Sequence, residues 1–393
     1  MTTNKPSVVA NNYSSQEENN ALVIYGGGLC DSAAFSLSEF AQALDRKNWF
    51  NHVYVGFYSF RSLLCSRFIK EWSVDEYAKA QCTAKGGYFG TARETFLTNP
   101  GMIERAIEVC KEKNIKWIFL GGGDGSARQM AETREELQKA GIYMVFFMAN
   151  TIDGIEGGYS FGIKSAVDVS IDRIKNIAST CLRTLDGNKF PAAVVVLQGR
   201  NRDDILGNVM YQLDKMETIG DFRKDEIELI AIPANGYKWQ RKCDGEDRLS
   251  IGLNPVSEFE VYGKPKLIIM SEGAKFPREK TEKDEKKLDE KELESITGVK
   301  TRVNIVAHES QVNGFTSCEE KREIIHVVGK ILKTIETALP MKQPFTVVTE
   351  KEDNGNFRCH IEQPDYFAEK NPRNGQKPTL DPKLWAAIEK YLP

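Results

Sequence analysis

Residues Phe119 to Ser126 read Phe-Leu-Gly-Gly-Gly-Asp-Gly-Ser, and these types in this order suit one chemistry, the holding of phosphate. Glycines let backbone N–H groups approach an anion that a Cβ would keep away. A helix starting here would add partial positive charge at the same spot. Asp124 offers the carboxylate that holds Mg²⁺ against phosphate oxygens, and Ser126 is a natural N-cap for a helix beginning near it. An ordinary tight turn can look similar, but an acidic residue between glycines, just before a helix, favours the phosphate site. No G-K-[ST] follows, which excludes a Walker loop, and the G-x-G-x-x-G dinucleotide fingerprint is not met.

Four other segments could work with this one. Lys85 to Arg93 is a glycine-rich loop with a basic end, and Thr151-Ile152-Asp153 follows an apolar run. Gln198-Gly199-Arg200 follows another, and Thr301-Arg302 through His308 is a run flanked by an arginine and a histidine. All but Arg302 fall at the carboxyl ends of expected strands, where open α/β sheets bind ligands. Structural roles stay open beside these: Asp153 as a cap, His308 as a strand-end histidine, Arg200 and Arg302 as ion-pair partners.

Alternating strands and helices must position these residues, which argues for α/β layers with parallel sheets. Strands are expected at Ala21–Tyr25, His52–Tyr58, Lys116–Leu120 and Tyr143–Met148, then at Ala193–Leu197, Glu228–Ile232, Leu267–Met270 and Arg302–Ala307. Helical spacing of apolar residues marks Asp31–Leu44, Met102–Lys113, Ser126–Ala140 and a long helix over Ile163–Leu185. The stretch after Ala338 reads as irregular, ending in a short helix over Pro382–Leu392. The charge-dense run Lys275–Glu294 reads as a solvated helix in preference to a partner-binding arm.

Composition narrows the class. The chain has 393 residues, enough for two domains, with 41% hydrophobic and 28% charged residues, as a globular protein has. A net charge of −3 gives no long-range attraction to nucleic acid or acidic membranes. No apolar run approaches the ~20 residues that cross a bilayer. Met1–Asn20 is polar, lacks a signal-peptide apolar region and reads as a disordered tail, so a cytoplasmic protein is expected. The eight cysteines form no C-x-x-C pair, are expected as reduced thiols, and with only four histidines make a zinc site improbable.

Taken in order, these segments resemble the phosphofructokinase family over about Ala21 to Gly329. Its first glycine turn is similar to Gly26-Gly27-Gly28, its G-G-[ST]-x-L-G-[ST]-[AS]-R loop to Gly86–Arg93, and its G-G-D-G-S to Gly122–Ser126. Half of its T-I-D-N-D stands at Thr151-Ile152-Asp153, followed by Gly154-Ile155. Its I-G-F-x-T-A helix start resembles Phe161–Ala166, its M-G-R resembles Gln198-Gly199-Arg200, its A-E-G resembles Ser271-Glu272-Gly273, and its T-R-x-x-x-L-G-H resembles Thr301–His308.

The resemblance implies two Rossmann-like, three-layer α/β/α lobes with mostly parallel sheets. The tail would cover residues 1–20. The nucleotide lobe would cover 21–160 plus about 311–345, and the sugar-phosphate lobe 161–310 plus about 346–393. It implies ATP and Mg²⁺, with donor phosphates on Gly26, Gly27, Arg93, Gly123, Gly125 and Ser126 and the metal on Asp124. Gly125 leans toward ATP over pyrophosphate, whereas Asn150, at the second discriminating position, decides nothing. Asp153, with Thr151 beside it, would be the general base for the sugar 1-hydroxyl, and Arg200, Arg302 and His308 would hold the acceptor phosphate. A homo-oligomer, or an assembly with a related subunit, is implied as well.

The acceptor half departs from the family. Its second Asp is Ile155, its sugar-binding Glu is Ala234, its M-G-R methionine is Gln198 and its phosphate-binding arginine after the histidine is Gln311. A glutamine cannot give a bidentate, charge-assisted contact to phosphate. Two functions therefore compete: phosphoryl transfer from MgATP to fructose 6-phosphate, and a catalytically degenerate relative that binds nucleotide or serves as a structural or regulatory subunit. A distant NAD or lipid kinase shares G-G-D-G but lacks the Gly86–Arg93 and Thr301–His308 segments.

Overall fold

A computed structural model describes residues 19–27, 30–82, 87–92, 100–152, 154–183, 191–198, 202–234, 264–272, 274, 301–306, 316–371 and 380–392. The first half runs β1 (Asn20–Gly26), α1 (Asp31–Arg46), β2 (Val53–Gly56), β3 (Ile69–Glu71), α2 (Val74–Cys82), α3 (Pro100–Glu112), β4 (Ile115–Gly122), α4 (Asp124–Lys139), β5 (Tyr143–Thr151), β6 (Phe161–Gly162) and α5 (Ile163–Cys181). The second half runs β7 (Ala192–Leu197), α6 (Asp204–Lys215), β8 (Thr218–Ile219), β9 (Phe222–Arg223), β10 (Glu228–Ile232), β11 (Lys266–Ser271), β12 (Thr301–Val306), α7 (Cys318–Ala338), β13 (Phe345–Lys351), β14 (Phe357–Glu362), α8 (Tyr366–Lys370) and α9 (Pro382–Glu389).

Two sheets result. The larger has the order β14-β13-β5-β4-β1-β2-β3, with β6 beside β5. It is parallel except where β3 and β14 turn back at its edges. The smaller, β10-β11-β7-β12, is wholly parallel. Its inner strand β7 has all six residues buried, which explains why it reads as an unbroken apolar run. This is the mostly parallel α/β architecture that the alternation implies.

One apolar core runs through both sheets. It holds Val23, Phe119 and Val145 of the larger sheet, Val195 and Ile269 of the smaller, and Ala166, Ile171 and Ile174 of α5 between them. Burying each large aliphatic or aromatic side chain contributes about 1.5–3 kcal/mol, so this shared core holds the two sheets together. A second core lies on the other face of the larger sheet, where Leu22, Ile24, Ile118 and Phe146 meet Val109 of α3 and Met130 of α4.

Two polar ties complete the frame. Glu320 of α7, wholly buried, accepts the backbone N–H groups of Gly162 and Ser165 and the Ser165 hydroxyl, and so caps the start of α5. Burial pushes its carboxyl above the usual range, against those hydrogen bonds. In the last turn of α6, Asp214 Oδ1 accepts from Lys224 Nζ (2.8 Å), Lys390 Nζ (2.6 Å) and the Tyr391 hydroxyl (2.5 Å). Hydrogen bonds from Lys224, then Lys390 and Tyr391, hold its carboxyl well below the ordinary carboxylate range. The Tyr391 carbonyl accepts from Ala231 N–H of β10 at 2.8 Å.

Three expectations are corrected. The helix after Gly123 begins at Asp124, not at Ser126, because the Gly123 carbonyl already accepts from the Ser126 and Ala127 N–H groups. The stretch after Ala338 is not irregular: β13 and β14 form an antiparallel hairpin, and β13 pairs with β5. Residues 345–362 thus extend the larger sheet instead of joining the second lobe, while α9 does pack against α6 of the smaller sheet. The Met1–Asn20 tail up to residue 18 and the Lys275–Glu294 run lie outside the described residues.

Candidate functional site

Three neighbouring parallel strands, β1, β4 and β5, end together, and the glycine segments sit at their carboxyl ends. Gly26 pairs with Gly122, and Gly122 with Ala149, so the first turn, Gly122–Ser126 and the end of β5 meet along one edge. Gly27 turns the chain away at φ 107°, a conformation that side chains with a Cβ rarely adopt. Ser126 fills the floor of this cradle. A Cβ on Gly26 would stand 2.5 Å from its Oγ, so the position admits only hydrogen.

The Ser126 hydroxyl is 2% exposed as a residue and has no hydrogen-bond partner among the described residues. A buried hydroxyl left unpaired costs free energy, and a ligand oxygen would relieve that cost. Thr151, at the end of β5, packs against Gly123, and its backbone exchanges hydrogen bonds with Ser160 Oγ (3.2 and 2.9 Å). The loop over Gly87–Ala92 is docked on the same turn, because the Thr91 hydroxyl donates to the Gly27 carbonyl.

Of the residues singled out from sequence, Gly26, Gly27, Gly123, Asp124, Gly125, Ser126 and Thr151 are brought to one edge. Arg93, Asp153, Arg200 and His308 lie outside the described residues. Arg302 is exposed and pairs with Ala193 at the start of β12, whereas β12 ends at Val306 opposite Leu197. Arg302 thus stands at the start of β12, about 13 Å at ~3.3 Å per residue before the strand's end at Val306.

Asp124 does not stand free. Its Oδ1 accepts from Gly125 N–H at 2.7 Å, and its Oδ2 forms an ion pair with Arg128 Nη1 at 2.8 Å. The same guanidinium donates to the Asn371 carbonyl at 2.7 Å. Both oxygens of Asp124 are thus engaged, one by a cation, so a Mg²⁺ there would compete with Arg128 for the same carboxylate. Among the described residues no group of three or more His, Cys, Asp or Glu side chains could hold a metal ion.

The acceptor side shows why its sequence departs. Ile155 is 5% exposed and packs in the second core with Phe146, Val348 and Phe367, so its position is apolar ground. Ala234 N–H donates to Asp203 Oδ1 (2.8 Å), which also accepts from the Ser271 hydroxyl (2.6 Å), tying the ends of β10 and β11 to the start of α6. Asn150, behind the cradle, is 2% exposed and accepts from Ser32 through its side chain and from the Tyr25 hydroxyl through its carbonyl at 3.0 Å.

Two arginines escaped the sequence reading. Arg128 was legible only as an i,i+4 neighbour of Asp124. Arg202 pairs with Asp204 at 2.7 Å, and its guanidinium would lie 3.3 Å from a Cβ on Gly154. That contact brings the loop after β7 against the segment that follows β5. Its only signal was a second cation two residues after Arg200.

The comparisons bear on this geometry. The phosphofructokinase family model matches residues 20–206, which span β1 through the start of α6. The fold is similar to that of Pichia pastoris phosphofructokinase in the T-state, at 13% identity and a TM-score of 0.67, covering 97% of this chain and 40% of that one. It is also similar to the pyrophosphate-dependent phosphofructokinase of Marinobacter aquaeolei, at 16% identity and a TM-score of 0.61, covering 95% and 91% of the two chains. For phosphofructokinase from Saccharomyces cerevisiae the identity is 15% and the TM-score 0.62, with 90% and 45% covered. This chain thus spans less than half the length of either yeast chain. No curated sequence matches it. The cradle-bearing residues 20–206 thus match the phosphofructokinase family model, and the fold is shared with phosphofructokinases along nearly the whole length of the chain.

Proposed function

We propose that this chain is a phosphofructokinase-like protein that binds ATP by its phosphates and no longer phosphorylates fructose 6-phosphate, acting as a nucleotide-binding subunit. The observation that carries the first part is the buried Ser126 hydroxyl under Gly26 and Gly27, beside the N-terminus of α4 and without a partner among the described residues. The Gly123 N–H and the Ser126 hydroxyl would donate to phosphate oxygens, Gly125 would leave room for them by lacking a Cβ, and Arg93 would add the positive charge that the resemblance implies. The second part rests on Ile155, whose apolar burial occupies the place of the family's second carboxylate. Mg²⁺, which the family uses, finds no free carboxylate at Asp124, so no step is assigned to it here.

One contact favours the competing reading, transfer to the sugar 1-hydroxyl. Thr151 lies against Gly123, and Asp153 stands two places further on in the sequence. In that reading Asp153 is the base, and Arg200, Arg302 and His308 hold the acceptor phosphate. Arg302 would then serve a neighbouring copy, which suits a homo-oligomer. Both readings suit a cytoplasmic protein. No helix among the described residues is long and apolar enough to cross a membrane.

A thermal-shift titration and a coupled ADP-release assay separate them. ATP is expected to raise the melting temperature more than pyrophosphate does, with no turnover on fructose 6-phosphate. Sugar-dependent ADP release that disappears in Asp153→Ala would overturn the subunit reading. No thermal shift with either donor would overturn nucleotide binding.

A further inference from the structure

We propose that Arg128 is a resident counter-charge for Asp124, so that this chain binds the phosphates of a nucleoside di- or triphosphate without a divalent cation. The inference rests on the nucleotide-binding reading above and concerns how that site manages charge.

A lone carboxylate at a phosphate cradle repels its ligand. It becomes useful only when a divalent cation sits between the two anions. Here that position is already satisfied. Arg128 Nη1 lies 2.8 Å from Asp124 Oδ2, and Gly125 N–H takes the other oxygen at 2.7 Å. The pair carries no net charge, so the remaining local field is that of the α4 N-terminus, which attracts anions.

This is more than a surface pair on one helix. The Arg128 side chain is 18% exposed, against 50% for Asp124. Its guanidinium also donates to the Asn371 carbonyl at 2.7 Å, and Asn371 is itself fixed: its Oδ1 accepts from Glu156 N–H (2.9 Å) and its Nδ2 donates to the Glu156 carbonyl (3.1 Å). Glu156 follows the segment after β5, so the arginine is held from two sides of the cradle edge. Nη2 would stand 3.9 Å from a Cβ on Gly125, which places positive charge beside the glycine expected to meet phosphate. The buried Nε has no partner among the described residues. A fixed guanidinium stays in place whether or not a metal is supplied.

The test is titration calorimetry of the full chain with ATP, once in EDTA and once in excess MgCl₂. The expected dissociation constants for the unaltered protein agree within about threefold. Arg128→Met leaves Asp124 bare, and its binding should weaken at least tenfold in EDTA and recover in MgCl₂. Arg128→Met combined with Asp124→Asn should be insensitive to metal again, which a merely structural arginine would not produce. Binding by the unaltered protein only in MgCl₂ would overturn this inference and leave nucleotide binding intact, and it needs no variant to fold. Binding in neither medium would overturn both. Arg128→Met that binds in EDTA as the unaltered protein does would also overturn it.

Discussion

A buried hydroxyl with no partner among the described residues is the most informative single group in the cradle. Ser126 Oγ is packed beneath Gly26 and Gly27, where water has little access. Removing it should leave the fold as stable or slightly more so, because an unpaired buried hydroxyl is a cost and not a contribution. Ser126→Ala is therefore expected to keep or raise the melting temperature while weakening ATP by about 10–100-fold, the worth of a hydrogen bond to a charged oxygen. Calorimetry and a thermal melt on the same sample read both. A large loss of stability instead would mean that the hydroxyl serves the fold. At this scale the sequence told much: Gly122–Ser126 announced a phosphate site. It could not tell that Asp124 is taken, since the Arg128 anchor lies at Asn371, 243 positions along the chain.

Elements follow their apolar pattern where that pattern is dense. The runs that became β1, β4, β7 and β10 are buried on both faces, and their unbroken apolar residues located them well. The hairpin of β13 and β14 escaped because its outer residues are charged and polar, and the Asn and Pro around it read as loop. Yet Asp353-Asn354-Gly355 stands between Phe345-Thr346-Val347-Val348 and Phe357, with Gly355 at φ 81°, which is a hairpin signal. What no local pattern could give is the seating of α7 on α5. Glu320 there satisfies three donors at once. Glu320→Ala would leave them buried and unpaired, at a cost of about 1–3 kcal/mol, and Glu320→Gln, which keeps one acceptor, should cost less. Denaturant unfolding of the two variants checks the order; equal losses would remove the capping role.

For the molecule as a whole, acid sensitivity is set partly at Asp214. Its carboxyl is held down by Lys224, Lys390 and Tyr391, so its folded value lies below that of the unfolded chain. Its contribution is then fully present above the unfolded value of about 3.9 and is lost as pH falls through the folded one. Asp214→Asn should destabilise the protein at neutral pH by about 1–3 kcal/mol, and the difference from the unaltered chain should shrink as pH drops below about 4. Melting curves at pH 7 and pH 3 measure it; a gap that widens in acid would contradict the assignment.

The Tyr391 carbonyl that meets Ala231 N–H has a consequence for solubility. β10 is the outermost strand of the smaller sheet, and an outermost strand with unpaired amides invites strands from other molecules to add to it. The segment after α9 occupies part of that row and so acts as a guard against self-association. A chain shortened before Lys390 would lose the guard together with its anchor on Asp214, and it should scatter light on warming well before the intact protein does.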